Sequence, residues 1–228
     1  MATLGSVALA LCMLAAAYTS FQCVTPPNPP PINPGVRDRL GAAAPQSTLN
    51  SKRNILFLIW LYHILITAMY PHPPPAICPH PDRLDSKLFS WNVHSVACVV
   101  ATLIGGSVRL SAYKQLGRNF TFQLAKPKAL VKQGLYSYVQ HPSYTGQFLV
   151  DFGNFLLVAR RAGAIACWWP SVLDIKYLGP LVWTVITVLS VVLTQMKVRD
   201  EESMLKKEFG KEWEEYHAKT KRFVPGLF

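Results

Sequence analysis

LFSWNVHSVACVVATLIGGSV, residues 88–108, runs for twenty-one positions without one formal charge. A helix needs roughly 17–25 predominantly apolar residues to cross a bilayer core, so this stretch predicts a membrane span. Working outward, residues 177–196 are also uncharged and dense in Val, Leu and Ile. Residues 55–70 form a shorter uncharged segment, 143–159 is interrupted only by Asp151, and 1–24 carries no charged side chain. The chain as a whole is 50% hydrophobic and 15% charged over 228 residues. These segments predict an all-α, multi-span transmembrane helical bundle of about five spans, with a carboxyl-terminal helix outside the membrane.

Residues 1–24 have a second reading as a cleaved signal peptide. Such peptides want a basic start, and no Lys or Arg occurs before Arg37, so a retained helix is the expectation. Six prolines among residues 25–34 then exclude helix and give a stiff extended linker. The five cysteines (Cys12, Cys23, Cys78, Cys98, Cys167) form no C-x-x-C pair and read as small apolar residues in packed helices. The histidines, His72 and His80 among them, show no metal-ligand spacing, and no metal is assigned.

The formal net charge is +11, which on its own would suit nucleic acid. Its distribution argues against that partner. No Asp or Glu occurs between Ser86 and Val150, whereas Arg109, Lys114, Arg118, Lys126, Lys128 and Lys132 share one connecting segment. A basic connection between spans is what the positive-inside rule expects on the cytosolic side, and it also suits an anionic ligand. Alternation then places loop 25–53 and the tail 197–228 in the cytosol and loop 71–87 in the lumen. Arg160 and Arg161 on the lumenal side are a mild exception. The connector 162–176, with Trp168 and Trp169, is expected at headgroup depth. No repeat and no second soluble domain is visible.

The tail reads as helix, with Val198, Leu205, Phe209, Trp213 and Tyr216 on one face at 3.6 residues per turn. The same phase puts Glu202 inside the apolar stripe and Glu201 at its border. Carboxylates facing a packed surface are costly unless paired or liganded, and either reading is open. Gly210 is expected to interrupt the helix. Upstream, residues 134–146 (GLYSYVQHPSYTG) are rich in aromatic hydroxyls and contain a His-Pro turn at the entry to a span. Pro142 suits a first helical turn, and His141 then sits at the helix N-terminus. Asp151, inside the span, is a functional candidate or the partner of Gln147 one turn earlier.

Taken in order, Leu116-Gly-Arg-Asn-Phe120, Leu130-Val-x-x-Gly-x-Tyr136, His141-Pro-Ser-Tyr-x-Gly146, Glu201-Glu-x-x-Leu-x-x-x-Phe-Gly210, Tyr216 and Pro225 resemble the core of the isoprenylcysteine carboxyl methyltransferases. The resemblance covers about residues 110–228. It divides the chain into amino-terminal transmembrane helices (1–110) and a methyltransferase core (111–228). It implies S-adenosylmethionine as methyl donor and the carboxyl-terminal prenylcysteine of CaaX-processed proteins as substrate, at the endoplasmic reticulum membrane with the active face cytosolic. The absence of a G-x-G-x-x-G turn after a strand agrees with a helical fold in place of a Rossmann sheet. Carried over by position, cofactor contacts fall on Leu130, Val131, Tyr136, His141, Pro142, Ser143, Tyr144 and Glu201, with Gln123 a looser candidate because its loop is shorter than in many members. A cation must orient the substrate carboxylate, and Arg199 and Lys197 are the candidates.

Gln140 stands where many members have Arg, and Lys197 where Arg is common; both changes fall on the anion-handling side, since Lys lacks the planar fork of Arg. A membrane phospholipid N-methyltransferase is the nearest alternative, because such enzymes share the Glu-Glu ending. A sterol-reductase-like membrane protein and a non-catalytic relative are the others.

Overall fold

The structure is a computed structural model that describes residues 3–29, 46–168 and 178–226. Among these residues it is helical, and its one extended pairing is a parallel bridge between Val139 and Lys221. Helix α1 (Leu4–Cys23) begins at Thr3, which exchanges hydrogen bonds with Ser6 in a capping box. It is followed by α2 (Gln46–Met69), a short α3 (Ser86–Phe89) and α4 (Val93–Leu116). Then come α5 (Pro142–Leu157), α6 (Leu178–Phe209) and α7 (Lys211–Lys219).

Asn92 explains why α4 starts later than the uncharged run at 88–108 suggests. Its side-chain oxygen accepts from the backbone N–H groups of His94 and Ser95, an N-cap that fixes the helix start. Leu88 and Phe89 belong to α3 and are buried in the core. The helix also outruns the uncharged segment, because Arg109, Ala112 and Tyr113 are buried on one face. At the other end of the chain, the expected span 177–196 and the expected tail helix are one continuous α6. The break comes at Gly210, whose φ of 52° is a conformation that favours glycine.

Three helical segments among the described residues are long and apolar enough to cross a membrane: Leu4–Cys23, Asn50–Met69 and Val93–Asn119. At sixteen residues, α5 reaches about 24 Å, short of a full bilayer core of roughly 30 Å. The start of the uncharged run at 177–196 adjoins residues 169–177, which lie outside the described residues. Trp169 and three of the six prolines of the 25–34 linker (Pro30, Pro31 and Pro34) also lie outside the described residues.

Helix α1 belongs to the bundle: Leu9, Met13, Ala16 and Ala17 are buried among Trp60, Ile66, Leu88 and Phe89. Ser20 donates to the Asn154 side chain at 3.0 Å in the interior. The tightest crossing is between α4 and α5. A Cβ on Gly146 would lie 2.5 Å from the Gly105 carbonyl oxygen and 2.7 Å from the Arg109 nitrogen; one on Gly105 would lie 2.7 Å from the Gly146 carbonyl. Small residues of this kind let helix backbones meet in a bilayer, where packing drives association. Gly146→Ala is therefore expected to cost about 1–3 kcal/mol, read as a lower thermal midpoint in detergent; an unchanged midpoint would show that the helices part freely.

One expectation is corrected. Cys78 and Cys167 are not packed thiols but form a disulfide across 89 residues. The loop after α2 and the turn Ala164–Cys167 after α5 emerge at the same end of the bundle, which brings the two sulfurs together. Nearby, Trp168 donates to the Tyr62 hydroxyl at 2.7 Å and the Asp85 N–H to the Ala162 carbonyl at 3.0 Å. Cys23 and Cys98 are buried thiols as expected, and Cys12 is exposed. In denatured, non-reduced protein, a polyethylene-glycol maleimide is expected to label the three free cysteines. After reduction it should label all five. Five labels before reduction would remove the disulfide.

Candidate active site

At the opposite end of α5, the sequence between α4 and α6 closes over a cavity of about 110 Å³. Its wall includes Arg109, Phe120, Phe122, Tyr136, His141 and Glu201. Pro142 is the first residue of α5, where its missing N–H leaves no helix bond unmade. It holds His141 at the mouth of the helix, buried at 3% exposure. The cofactor contacts expected at Leu130 and Val131 fall on half-buried loop residues outside the cavity lining, and Arg199 is exposed and also outside it. Gln123, Tyr136, His141, Ser143, Tyr144, Lys197 and Glu201 all line it.

The two acids of the Glu-Glu pair separate by role. Glu201 faces the cavity: it accepts from the Tyr144 hydroxyl at 3.3 Å and lies 3.8 Å from His141 Nδ1. Glu202 faces away. It accepts two hydrogen bonds from Arg222, both at 2.7 Å, and lies 3.3 Å from His141 Nε2. Burial pushes the Glu202 carboxyl up, but the bonds from His141 and Arg222 outweigh it and hold it at about 2. Of the two sequence readings, the paired one describes Glu202, while Glu201 is the acid that faces the cavity. Burial pushes the Tyr136 phenol far above its ordinary range, so it acts as an alcohol; its carbonyl accepts from the Tyr216 hydroxyl at 2.7 Å.

Lys197 Nζ donates to the Phe122 carbonyl, which ties α6 to the loop that roofs the cavity. Salt bridges Lys126–Glu208 at 2.8 Å and Lys132–Glu212 at 2.6 Å continue this attachment along α6 and α7. Lys126 and Lys132 of the basic segment are therefore matched by acids of the tail. These outer pairs are exposed and contribute little each, but they share one purpose, setting the loop against the tail.

Arg109 was not among the residues singled out by sequence. It is 8% exposed, donating from Nε to the Cys23 carbonyl at 2.9 Å and from Nη1 to the Ser143 carbonyl and hydroxyl, both at 3.0 Å. Its guanidinium lies 4.9 Å from the Tyr113 ring and 5.7 Å from the Phe122 ring. A buried, fork-shaped cation at a cavity wall is suited to a carboxylate. The sequence signal was its phase: Gly105, Arg109 and Ala112 lie at i, i+4 and i+7 on the packed face of α4.

The arrangement therefore offers a carboxylate, aromatic faces and a buried guanidinium around one small space. Comparison with known proteins now adds to this geometry. The model of the isoprenylcysteine carboxyl methyltransferase (ICMT) family matches residues 96–207. Three curated relatives are each named protein-S-isoprenylcysteine O-methyltransferase. The one from Dictyostelium discoideum is 25% identical over 182 residues, covering 65% of this chain and 68% of its own. That from Schizosaccharomyces pombe is 28% identical over 141 residues, covering 60% and 52%. That from Saccharomyces cerevisiae is 26% identical over 149 residues, covering 62% and 54%. The match thus spans about half of each yeast protein's length. The matched region holds most of α4, α5, the cavity and the Glu-Glu pair in a helical, membrane-type bundle, and over that region the chain is similar to the isoprenylcysteine carboxyl methyltransferase family.

Proposed function

We propose that this chain transfers a methyl group from S-adenosylmethionine to the carboxylate of a carboxyl-terminal prenylcysteine, at the cytosolic face of the endoplasmic reticulum membrane. The observation that carries the reading is the meeting of Glu201, His141 and Tyr144 with buried Arg109 around one cavity. These residues fit the methyl donor chemically. Glu201 offers a carboxylate to a cationic sulfonium or ammonium group, and the rings of Phe120, Phe122 and Tyr136 offer faces that favour a cation. The space is small against the roughly 300–1,000 Å³ of usual ligand pockets, so it takes one end of such a molecule, and the rest extends along the loop 121–131.

When bound, the donor supplies an electrophilic methyl group on a positively charged sulfur. The chain itself is asked for alignment and exclusion of water, because a prenylcysteine carboxylate is already a nucleophile near neutral pH. Arg109 holds that carboxylate by the charge of its guanidinium at the cavity wall, its Nε and Nη1 being fixed by Cys23 and Ser143. Lys197, already bound to the Phe122 carbonyl, adds positive charge while fixing the roof. Tyr144 and His141 set the position of Glu201. The prenyl chain is held in the bilayer, where burial contributes roughly 0.8 kcal/mol per methylene. Residues 111–228 would form the methyltransferase core, with residues 1–110 supporting it through α1 and α4.

The disulfide supports the orientation. It lies beyond the carboxyl end of α5 and the cavity lies at its amino end, and disulfides persist in oxidising compartments such as the endoplasmic reticulum lumen. This supports a cytosolic cavity, with the loops of Cys78 and Cys167 lumenal.

The test supplies membranes containing the protein with labelled S-adenosylmethionine and either N-acetyl-farnesylcysteine or phosphatidylethanolamine. Base-labile label on the farnesylcysteine is the expected result. Label confined to phosphatidylethanolamine would replace the carboxylate reading with lipid N-methylation, and no label in either would make the chain a non-catalytic member.

A further inference from the structure

Residues 220–223, beyond α7, lie as a strap along the His-Pro turn. The Gln140 N–H donates to the Lys221 carbonyl at 2.8 Å and the His141 N–H to the Arg222 carbonyl at 2.9 Å. Thr145 donates through its hydroxyl to the Phe223 carbonyl at 2.8 Å. Gln140, buried at 5% exposure, completes the attachment. Its amide nitrogen donates to the Thr220 carbonyl at 2.8 Å, and its amide oxygen lies 2.9 Å from His217 Nδ1. The residue that stands in place of an Arg is therefore spent on the strap.

Arg222 is the one residue of this strap whose side chain reaches the Glu-Glu pair. We infer that Arg222 is a positioning residue for methyl-donor binding: it holds Glu202, and Glu202 holds the His141 ring against the cavity. The inference rests on the proposed function for the identity of the donor. Its geometry is a relay. Arg222 binds Glu202 through both Nε and Nη2, a fork that fixes the carboxylate in orientation as well as place. Glu202 in turn lies 3.3 Å from His141 Nε2 and, as a carboxylate, accepts there. The Nδ1 edge is then turned to Glu201. The second face of the ring is set by Phe223, 5.9 Å away between centroids.

Stability alone gives little reason for such a pair. Arg222 is half exposed, with 47% of its side chain accessible, and exposed ion pairs contribute little to folding. The partner, however, is one link from the cavity, where a small misplacement of an oriented group has a large effect on binding. Without Arg222 the Glu202 carboxylate keeps its charge but loses two of its bonds, and the His141 ring loses its fixed stop.

The experiment uses the full chain in nanodiscs, with Arg222→Ala and Arg222→Lys beside the wild type. Calorimetric binding of S-adenosylhomocysteine, alone, reports the donor site without turnover, and kinetics give separate KM values for S-adenosylmethionine and N-acetyl-farnesylcysteine. Arg222→Ala is expected to raise the dissociation constant and the donor KM about tenfold, with the farnesylcysteine KM within twofold. Arg222→Lys should recover part of the loss, since it keeps the charge without the fork. An unchanged donor affinity in Arg222→Ala, or equal rises in both KM values, overturns the inference. A wild type that binds the donor but labels no farnesylcysteine would sink the proposed substrate, while the binding comparison would still decide the role of Arg222.

Discussion

Glu201→Gln is expected to lower methyl transfer by about 100- to 1,000-fold, the scale seen when one preorganised charge-handling group leaves an enclosed site. The substitution keeps the shape and removes the charge. Glu201 is the acid whose carboxylate lines the cavity, between the Tyr144 hydroxyl at 3.3 Å and His141 Nδ1 at 3.8 Å. A neutral amide can still accept from Tyr144 but offers nothing to a sulfonium or ammonium group. The measurement is initial rate with labelled S-adenosylmethionine, alongside calorimetric affinity for S-adenosylhomocysteine, which shares the ammonium group but not the sulfonium. Near-wild-type rates would mean that the cofactor lies elsewhere and that the Glu201 contacts are structural. Near-wild-type affinity with a lost rate would narrow the role of Glu201 to the reacting sulfur. His141→Ala tests the same pocket from its other side, removing the ring between the two acids, and is expected to share the loss while leaving membrane insertion intact.

The sequence was legible where its information is local. Charge-free length predicts membrane helices, since nothing else in a chain of this size needs such runs, and α1, α2 and α4 follow it. Gly210 was readable as a break for the same reason, one residue with one conformational property. Helix ends were less so, because Asn92 caps α4 from inside the uncharged run and no hydropathy average registers that. The roles of Glu201 and Glu202 were undecidable from helical phase. What separates them is Arg222, twenty residues away beyond the Gly210 break. The disulfide was hidden likewise: Cys78 and Cys167 meet only because α2 and α5 end on the same side. Arg109 looked like the first residue of a basic loop. Only the Cys23 carbonyl at the end of α1 and Ser143 at the start of α5 make it a buried group, and both are tertiary neighbours.

Arg109 carries the second large expectation, and the choice of variant decides what it teaches. Arg109→Ala would strip donors from the Cys23 carbonyl and from the Ser143 carbonyl and hydroxyl. The Cys23 carbonyl keeps its bond from the Tyr113 hydroxyl, but the lost bonds still loosen α1 and α5 from α4, so that variant loses activity partly for structural reasons. Arg109→Lys keeps a charge near the cavity wall and can retain one or two of those bonds, but it loses the rigid guanidinium that the Cys23 and Ser143 bonds hold in place facing the cavity. The expected result is a KM for N-acetyl-farnesylcysteine raised about 10- to 100-fold, equivalent to about 1.4–2.7 kcal/mol, with affinity for S-adenosylhomocysteine nearly unchanged. Lys197→Ala provides the contrast. Its ammonium is bound to the Phe122 carbonyl, so its loss is expected to loosen the roof and weaken donor and acceptor together. If Arg109→Lys binds farnesylcysteine as the wild type does while Lys197→Ala selectively loses it, the carboxylate is held by Lys197, as position in the sequence first suggested, and Arg109 is a structural pin between three helices. The opposite pattern assigns recognition to Arg109 and explains how a chain with Gln at 140 and Lys at 197 can still handle an anionic substrate: the planar cation comes from α4.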